Sequence, residues 1–326
     1  MAAMHPEVIV IGGGVVDVPL FPVGPAVFDA ASTPLERIAM RAGGDAVNEA
    51  IILSRLGHRA ALVSKVGRDV AGDFLIQTLN DAGVDTSRVV RASGLDTGVN
   101  VVLVREGGER SFITNRNGSL RRLGLADILP ALDEGTAGAK VACLASLFVS
   151  PLLTLDDTAA LFDALRARGL LLCADTTRRK NGETLREAGA ALSRLDYFFP
   201  NLEEAALLTG EADPDRAADA LLGCGVKRVA IKLGGAGCLL AGPGERHRVP
   251  AFPCARCVDT TGAGDTFAAA FIAALLEGRS FPDCGRFASA AASLCVESVG
   301  ATDGAWTRAD ADARFRRYVN FPRNAL

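Results

Sequence analysis

The chain has 326 residues, an apolar fraction of 49% and a formal net charge of −3. That length can bury the core of one large domain or two smaller ones, and the acidic balance excludes a basic surface for nucleic acid or for an anionic membrane. The N-terminus has no basic region, and glycines and an aspartate interrupt its apolar run. We therefore predict no signal peptide or membrane span and expect a cytoplasmic protein with no nucleic-acid or membrane partner.

Apolar runs of strand length alternate with segments of helical period, which predicts an α/β fold with a mostly parallel sheet flanked by helices. The N-terminal part predicts a strand at 7–11, a helix at 46–56, a strand at 60–66 and a helix from 74 that ends near Gly83. Further along, strands are predicted at 141–149, 170–174, 197–199 and 229–233. Helices are predicted at 263–277 and 281–296.

The segment between the early and late elements predicts a β-hairpin, because two strand-like runs at 99–105 and 110–114 flank the turn EGGE. Since residues 101–104 are apolar on both faces, we expect the hairpin to be covered on each side. We interpret it as part of a small second sheet, a lid formed from about 12–45 and 96–120, that covers the ligand and pairs with another subunit in a homodimer. The chain, 1–326, is then a single domain with a loosely ordered tail at 317–326.

The stretch DTTGAGDTF, which begins at Asp259, joins a glycine-rich turn to the start of an apolar helix. Its glycines allow a tight turn with free N–H groups, and the helix N-terminus adds the positive end of its dipole, so this is an anion site. Beside a bound phosphoryl group, Asp265 could accept the proton of an attacking hydroxyl. Taken alone, Asp265 could equally be an acid that favours a helix start.

Three further segments favour a ligand site, although each also has a purely structural explanation. RAGGDAVNEA places two glycines before a helix with Asn48 one turn in, which is also a plain loop-to-helix turn. FPNLEEA sets Glu204 three residues after Asn201, which also matches a helix cap. KLGGAG places Lys232 and its glycines at a turn between strands, which is also a simple hairpin.

In this order, GG…N, NxxE, KxGxxG and DTTGAGD resemble the ribokinase or PfkB family of carbohydrate and nucleoside kinases over essentially the whole chain. The resemblance implies a ribokinase-like three-layer αβα sandwich with a mostly parallel central sheet and a small β-sheet lid. It implies ATP-dependent phosphorylation of a hydroxyl of a sugar or sugar acid, with ATP and Mg²⁺ as cofactors. The segment from VVDVPL to SRLGHRAALVSKVG is similar to a bacterial subgroup of uncharacterised sugar kinases, which leaves the substrate open.

The resemblance also implies site residues. Asp265 would be the general base, and its backbone N–H would complete an anion hole for the γ-phosphoryl group with those of Gly262, Ala263 and Gly264. The positions that match the sugar-binding set are Asp17, Gly43, Gly44, Asn48 and Asn100. Those that match the ATP site are Asn201, Lys232, Gly234, Gly237 and Ser289, and Glu204 matches the acid that organises Mg²⁺.

Many family members bind a monovalent cation beside the anion hole. The matching positions are Asp259, Thr261, Cys295, Ser298, Gly300 and Gly304. Because Asp259 keeps the charged ligand, we expect activation by K⁺. Rates compared in potassium and tetraalkylammonium buffers test this, and equal rates would contradict it.

Two features depart from the family pattern. ADTTRRK stands where many relatives carry Asp-Pro-Asn-x-Arg, which leaves open whether Arg178 or Arg179 approaches the phosphates. Glu49 stands where an apolar or amide residue is more usual, and we interpret it as part of a solvated helix face.

The arginines near the hairpin favour a sugar acid, since a guanidinium binds a carboxylate through two hydrogen bonds. Arg116, between two asparagines in TNRNGS, is our candidate, and a surface arginine is the alternative. A nucleoside kinase is the alternative within the family, less favoured because the chain has only one tryptophan and two tyrosines to stack on a base.

Two other classes of protein are also considered. VIVIGGGVVD suggests a dinucleotide-binding oxidoreductase, but Asp17 occupies the place of the third glycine of GxGxxG and would repel a pyrophosphate. A non-catalytic ligand-binding or regulatory protein on the same fold is the other alternative. The presence of Asp265 with its glycines argues against it, because a silent site needs no base.

Overall fold

The computed structural model describes residues 5–133, 136–178 and 182–319. In chain order its strands are β1 (Val8–Ile11), β2 (Val15–Phe21), β3 (Arg37–Ile38), β4 (Arg41–Gly43), β5 (Ala60–Gly67), β6 (Val89–Ala92), β7 (Gly98–Val104), β8 (Arg110–Thr114), β9 (Val141–Leu147), β10 (Leu171–Thr176), β11 (Tyr197–Phe199), β12 (Val229–Lys232), β13 (Cys238–Gly242) and β14 (Glu245–Val249). Its α-helices are α1 (Asp45–Arg55), α2 (Val70–Asp81), α3 (Leu125–Asp133), α4 (Leu155–Ala167), α5 (Leu185–Leu192), α6 (Leu202–Thr209), α7 (Pro214–Gly223), α8 (Ala263–Leu276), α9 (Phe281–Cys295) and α10 (Arg308–Val319).

The main sheet has nine strands in the order β14-β13-β12-β11-β10-β9-β1-β5-β6. The strands from β12 to β6 run parallel, and β13 and β14 add an antiparallel edge. Helices cover both faces of this sheet, so its central strands are continuous apolar runs without alternation. In β1, for example, all four residues from Val8 to Ile11 are buried.

Two apolar layers flank the main sheet. On one face α1, α8 and α9 pack around Ile52, Phe271 and Phe287, and on the other α3 to α7 pack around residues such as Phe162 and Leu221. The predicted three-layer αβα sandwich with a mostly parallel sheet is therefore confirmed. No helix within the described ranges is long and apolar enough to cross a bilayer.

A second, small sheet has the order β3-β2-β7-β8, with β4 paired to β2. The predicted hairpin is confirmed as β7 and β8, and the strands of this sheet lie within the two segments that the sequence assigned to a lid. We call the face of this sheet that carries Val16 its outer face. Val16 packs there against Val66 and Leu75. The single chain does not cover the hairpin on both faces as predicted, because Phe112 and Ile113 of β8 are 60% and 53% exposed.

Some predicted boundaries differ from the structure. The strand predicted to reach residue 149 ends at Leu147, because Ser146 and Phe148 adopt left-handed backbone conformations with φ of 56° and 75°. The helix predicted from residue 74 begins at Val70, where the Asp69 side chain accepts a hydrogen bond from the Gly72 N–H. Of the tail predicted at 317–326 to be loosely ordered, residues 317–319 form the end of α10, and residues 320–326 lie outside the described residues.

Candidate active site

Two neighbouring cavities lie beside the first turn of α8. The sheet cavity, of about 790 Å³, is lined by Asp175, Asn201, Lys232 and Asp265 among others. The lid cavity, of about 560 Å³, lies under the small sheet and is lined by Asp17, Gly43, Asn48, Arg110 and Asp259 among others. The Asn48 side chain links the two cavities, since its Nδ2 donates a hydrogen bond to Asp265 Oδ2 at 2.7 Å.

Asp265 lies in the first turn of α8 and keeps part of its surface open to the sheet cavity. Burial raises its pKa to about 8, and the carboxylates of Asp45 and Asp175 act in the same direction, against the hydrogen bond from Asn48 and the charge of Lys232. A carboxyl group with this pKa exchanges a proton near neutral pH, which suits a general base.

The backbone before Asp265 turns sharply at Gly262, whose φ is 75°. A Cβ at this position would lie 2.4 Å from the Cβ of Ala301, so only glycine fits. Ala263, Gly264 and Asp265 line the sheet cavity at the helix N-terminus, where the first backbone N–H groups have no acceptor within the helix. Of these, the Ala263 N–H donates to the carbonyl oxygen of Thr260 at 3.2 Å.

Lys232 extends from the end of β12 into the sheet cavity. Its Nζ donates to both carboxylate oxygens of Asp175, at 2.8 and 2.9 Å. Burial alone would lower the pKa of Lys232, but Asp175 and Glu204 outweigh it and the pKa is raised. Burial raises the pKa of Asp175 to about 6, which the ion pair with Lys232 only partly offsets. The lysine is therefore a fixed positive charge next to Gly264.

Asn201 and Glu204 form the cap of α6. The Asn201 side chain accepts from the Glu204 N–H, and the Glu204 side chain accepts from the Asn201 N–H, both at 2.8 Å. Both residues also line the sheet cavity, and burial raises the pKa of Glu204 to about 7. The motif is thus a helix cap, as its structural explanation predicts. The same cap holds the Glu204 carboxylate at the wall of the sheet cavity.

The other residues matched to the ATP site also border the sheet cavity. Gly234 and Gly237 form the turn between β12 and β13, with φ of 59° and 92°. A Cβ on Gly237 would lie 2.0 Å from the carbonyl oxygen of Val249, so this glycine is needed for the turn itself. The Ser289 hydroxyl donates to the carbonyl oxygen of Pro250 at 3.3 Å.

In the lid cavity, Asp17 on β2 and Asn100 on β7 are register partners. Asn100 Nδ2 donates to Asp17 Oδ1 at 2.8 Å. A Cβ on Gly43 would lie 2.2 Å from Asp17 Oδ2, so this glycine makes room for the carboxylate. Gly44, with φ of 94°, begins the turn into α1. Of the five residues matched to the sugar site, Asp17, Gly43 and Asn48 line the lid cavity, while Asn100 contacts Asp17 and Gly44 follows Gly43 in the chain.

Four members of the cation set meet on the side of the lid cavity, namely Asp259, Thr261, Cys295 and Gly300. Asp259 Oδ1 accepts from the Thr261 N–H at 2.9 Å and from its hydroxyl at 2.7 Å, and Asp259 Oδ2 accepts from the Gly300 N–H at 2.9 Å. Burial would raise the pKa of Asp259, but these bonds outweigh it and lower the pKa to about 2. The Cys295 thiol donates to the Thr261 carbonyl oxygen at 3.4 Å.

The remaining members of the cation set, Ser298 and Gly304, are close to each other, since a Cβ on Gly304 would lie 3.0 Å from the Ser298 hydroxyl oxygen. Arg110 of β8 reaches the same place. Its Nη2 donates to Asp259 Oδ1 at 2.6 Å, and its Nη1 donates to the Thr261 hydroxyl. This contact was not predicted from the sequence, in which Arg110 is one of several arginines near the hairpin and lies far along the chain from Asp259.

Arg116 does not reach either cavity. It is exposed in the loop after β8, while the neighbouring Asn115 turns inward and bonds the backbone of Thr97 and Val99. In the segment 175–180, which differs from the family pattern, Arg178 forms an exposed ion pair with Glu203. Residues 179–180 lie outside the described residues. The arginines that line the lid cavity are Arg37, Arg41, Arg110 and Arg256.

Asp45 and Asp175 line the sheet cavity and are further candidate site residues, which were not predicted from the sequence. Asp45 is the first residue of α1, lines the sheet cavity and accepts a hydrogen bond from the Ser146 hydroxyl. Asp175 is the partner of Lys232. The signal for both was an acid at the end of a strand or the start of a helix, the same signal that selected Asp265.

Glu49 is not on a solvated helix face, and that interpretation is wrong. The residue is fully buried, and the Cys143 thiol beside it is a weak partner that only slightly offsets the burial of the carboxyl group. Helix α1 is enclosed on all sides over residues 46–53, because it lies between the main sheet and α8. Burial, together with Asp175 and Asp265, raises the pKa of Glu49 well above its ordinary value.

We expect Glu49→Gln to stabilise the protein increasingly as the pH rises. An unfolded glutamate titrates near about pH 4.3, whereas folded Glu49 holds its proton to higher pH. Above the pKa of the unfolded glutamate, the folded wild type binds one proton more than the unfolded chain. Its free energy of unfolding therefore falls as the pH rises, by up to about 1.4 kcal/mol per pH unit from this group. Urea unfolding at pH 5 and pH 8 should show a variant advantage that grows with pH.

A matched control is Glu109→Gln, since Glu109 is 72% exposed. The free energy of unfolding of Glu109→Gln should differ from that of the wild type by the same amount at pH 5 and pH 8. If the free energy of unfolding of Glu49→Gln changed with pH in parallel with that of the wild type, this would contradict a protonated, buried Glu49.

Comparison with known proteins gives one consistent result. The family model described as pfkB family carbohydrate kinase matches residues 6–308. The 2-dehydro-3-deoxygluconokinase of Bacillus subtilis is 32% identical, over 80% of this chain and 82% of its own length. A structure of Arabidopsis thaliana ribokinase complexed with ribose and ATP has a TM-score of 0.80 at 27% identity, covering 96% of this chain and 99% of its own. A structure from E. coli described as a ribokinase II with ATP and Mg²⁺ has a TM-score of 0.81 at 25% identity, covering 96% and 99%.

Proposed function

This chain belongs to the pfkB family of carbohydrate kinases, and from that premise we propose that Asp265 is the base that activates a sugar hydroxyl for attack on ATP. The family assigns phosphorylation of a sugar. The observation that supports the finer mechanism is the position of Asp265, where the hydrogen bond from Asn48 joins the lid cavity to the sheet cavity.

In this mechanism the sugar lies in the lid cavity and the triphosphate in the sheet cavity. Asp17, Asn48 and Asn100 hold sugar hydroxyls, because a carboxylate and two amides fix the direction of O–H groups. Asp265 accepts the proton of the reacting hydroxyl. The sugar oxygen forms a bond to the γ-phosphorus as the bond to the bridging oxygen breaks, and ADP leaves.

The charge that develops during transfer is held by the first turn of α8. We assign the backbone N–H groups of Gly262, Ala263, Gly264 and Asp265 to the anion hole, with the helix dipole in the same direction. Lys232, fixed by Asp175, adds a positive charge beside Gly264. The Ala263 N–H is the weakest member of this set, since it already donates to Thr260.

Mg²⁺ would be held chiefly by the phosphates, with Glu204 as the acid that orients its water shell. Among the described residues, no group of three or more acids, histidines or cysteines could hold a metal alone. That fits Mg²⁺, which is usually bound through one or two carboxylates and substrate phosphates. When bound, it neutralises charge on the β- and γ-phosphoryl oxygens.

The positive charge beside Asp259 has two candidate sources. The resemblance implies K⁺, and the Asp259 carboxylate with the neighbouring carbonyl of Thr261 supports it. Arg110 is the other source, since it already contacts Asp259. The two sources predict opposite results for the wild type: a K⁺ requirement, as the resemblance implies, gives faster turnover in potassium than in tetraalkylammonium buffer, whereas Arg110 at this position gives equal rates.

The substrate is a neutral sugar or a sugar acid. The B. subtilis relative is named as a kinase of 2-dehydro-3-deoxygluconate, a sugar acid, and the A. thaliana structure holds ribose. Arg37 and Arg256 line the lid cavity, which supports recognition of a carboxylate. Arg116 could take part only if its loop moved toward the cavity.

A coupled assay of ADP release across neutral sugars, ketoses, aldonates and nucleosides tests this proposal. We expect turnover with sugars or sugar acids and little with nucleosides. Activity confined to nucleosides would establish the alternative within the family, and ADP release that no acceptor increases would contradict a sugar kinase.

We also propose a homodimer through the outer face of the small sheet. Ile38 and Ile113 on this sheet are 64% and 53% exposed, and a second copy would bury them. Light scattering at micromolar concentration should give twice the chain mass, and a strictly monomeric protein would contradict the dimer.

A further inference from the structure

We propose that Arg110 is a positioning residue that couples closure of the lid to the turn of the anion hole, and that its guanidinium takes the place of a bound monovalent cation at Asp259. This inference rests on the proposed function. It assigns to the lid an electrostatic contribution to phosphoryl transfer, in addition to the exclusion of water.

The contact joins two distant parts of the chain. Arg110 is the first residue of β8 in the small sheet, whereas Asp259 and Thr261 belong to the loop that leads into α8. The guanidinium makes two parallel hydrogen bonds, from Nη2 to Asp259 Oδ1 at 2.6 Å and from Nη1 to the Thr261 hydroxyl. These bonds join the small sheet to the loop before α8 at the wall of the lid cavity.

The turn that Arg110 contacts leads directly into the anion hole. Thr261 precedes Gly262, whose left-handed backbone packs against Ala301 with no room for a Cβ. From the other side, the Gly300 N–H bonds Asp259 and the Cys295 thiol bonds the Thr261 carbonyl oxygen. Arg110 therefore completes the set of contacts that hold this turn in place.

Electrostatics gives a reason for a cation at this position. The Asp259 side chain is only 7% exposed, and its carboxylate oxygens accept hydrogen bonds from the Thr261 N–H, the Gly300 N–H and Arg110. A buried negative charge four residues before Ala263, the first residue of α8, opposes the charge that develops on the phosphoryl group. The Arg110 guanidinium neutralises this charge and is itself 32% exposed, which limits its cost of desolvation.

The same arginine could instead bind the carboxylate of a sugar acid, since it lines the lid cavity. The geometry favours the role at Asp259, because two of its nitrogens are already engaged by Asp259 and Thr261. Arg37 and Arg256 line the same cavity and remain for a substrate carboxylate. The two roles predict different substrate dependence.

We expect Arg110→Ala to lower kcat about tenfold to a hundredfold, the scale of one lost charged hydrogen bond, to the same extent for a neutral sugar and a sugar acid. Guanidinium ions added at millimolar concentration should restore part of kcat, because the empty site beside Asp259 fits the free cation. Wild type should have equal rates in potassium and tetraalkylammonium, whereas K⁺ should activate the variant.

Arg105→Ala is the matched control. Arg105 lies at the tip of the same hairpin, is 63% exposed and pairs only with Glu109 in the described structure. It should retain wild-type kcat and show no response to guanidinium. If Arg110→Ala does not fold, Arg110→Lys serves in its place, since a lysine keeps the charge but not the two parallel bonds.

Three results would overturn the inference: an unchanged kcat in Arg110→Ala, a loss confined to acidic substrates, or a K⁺ activation that is equal in wild type and variant. A failure of the proposed function is distinguishable, because it would appear as full activity of Asp265→Asn. An inactive Asp265→Asn together with a fully active Arg110→Ala would reject only the role of Arg110.

Discussion

Asp265→Asn is expected to lower kcat by roughly 10²–10⁴, the usual contribution of a general base. The asparagine keeps the size of the side chain and can still bond Asn48, but it cannot accept the proton of the sugar hydroxyl. The KM values for sugar and ATP should change far less than kcat, since the walls of both cavities are unaltered. Steady-state kinetics with a coupled ADP assay measures both parameters.

The pH dependence gives an independent signature of the same residue. Because the pKa of Asp265 is raised to about 8, the wild-type kcat/KM should rise with pH up to about 8 and then level. Below that value the carboxyl group is protonated and cannot accept a proton. The residual activity of Asp265→Asn should lack this rise.

A folding control accompanies this variant. Asp265→Asn should be at least as stable as wild type at alkaline pH, because an amide avoids burying a charge whose pKa is raised. Near-normal turnover of a folded Asp265→Asn would mean that the base lies elsewhere.

Gly262→Ala should have the second largest effect, a loss of kcat of roughly 10²–10³, the scale of one lost oxyanion donor. The φ of 75° costs an alanine about 1–2 kcal/mol, and its Cβ would lie 2.4 Å from the Cβ of Ala301. The turn must therefore shift, and the N–H groups that follow it shift with it. Kinetics with a fixed sugar and varied ATP measures the loss.

Gly278→Ala is a close control for this change. Gly278 follows the other end of α8 with a φ of 73°, but a Cβ there would meet no atom within 4 Å. Gly278→Ala should lower the free energy of unfolding about as much as Gly262→Ala does, while leaving kcat unchanged. Equal kcat in the two variants would show that the turn at Gly262 is not coupled to catalysis.

Much of the fold follows from the sequence because its signals are local. The buried strands of the main sheet are continuous apolar runs, and α8 is a long apolar helix that begins after a glycine turn. Strand β2 was missed since Asp17 and Pro19 interrupt its apolar pattern, and the pairing with β7 that stabilises it is not visible locally.

The error at Glu49 has a similar cause. The apolar stripe of α1 suggests a helix with one buried face, which would leave Glu49 in solvent. The structure places α8 against the remaining face, so the helix is enclosed and Glu49 with it. A periodic pattern predicts which face packs first and does not show what covers the other faces.

Candidate site residues could be proposed from the sequence where a short motif holds them together, as in GAGD or around Asn48. Pairs formed across the fold could not. Asp175 with Lys232 and Arg110 with Asp259 join residues far apart in the chain, and the ends of separate strands and loops bring them together.

Transfer of the labelled γ-phosphoryl group of ATP to a sugar tests the central claim most directly. Wild type and Asp265→Asn are each incubated with the best acceptor from the substrate screen, and phosphosugar and ADP are quantified. The mechanism predicts equal amounts of both products from wild type and at least a hundredfold slower formation by the variant. ADP formed without phosphosugar, or phosphosugar formed at the wild-type rate by Asp265→Asn, would contradict it.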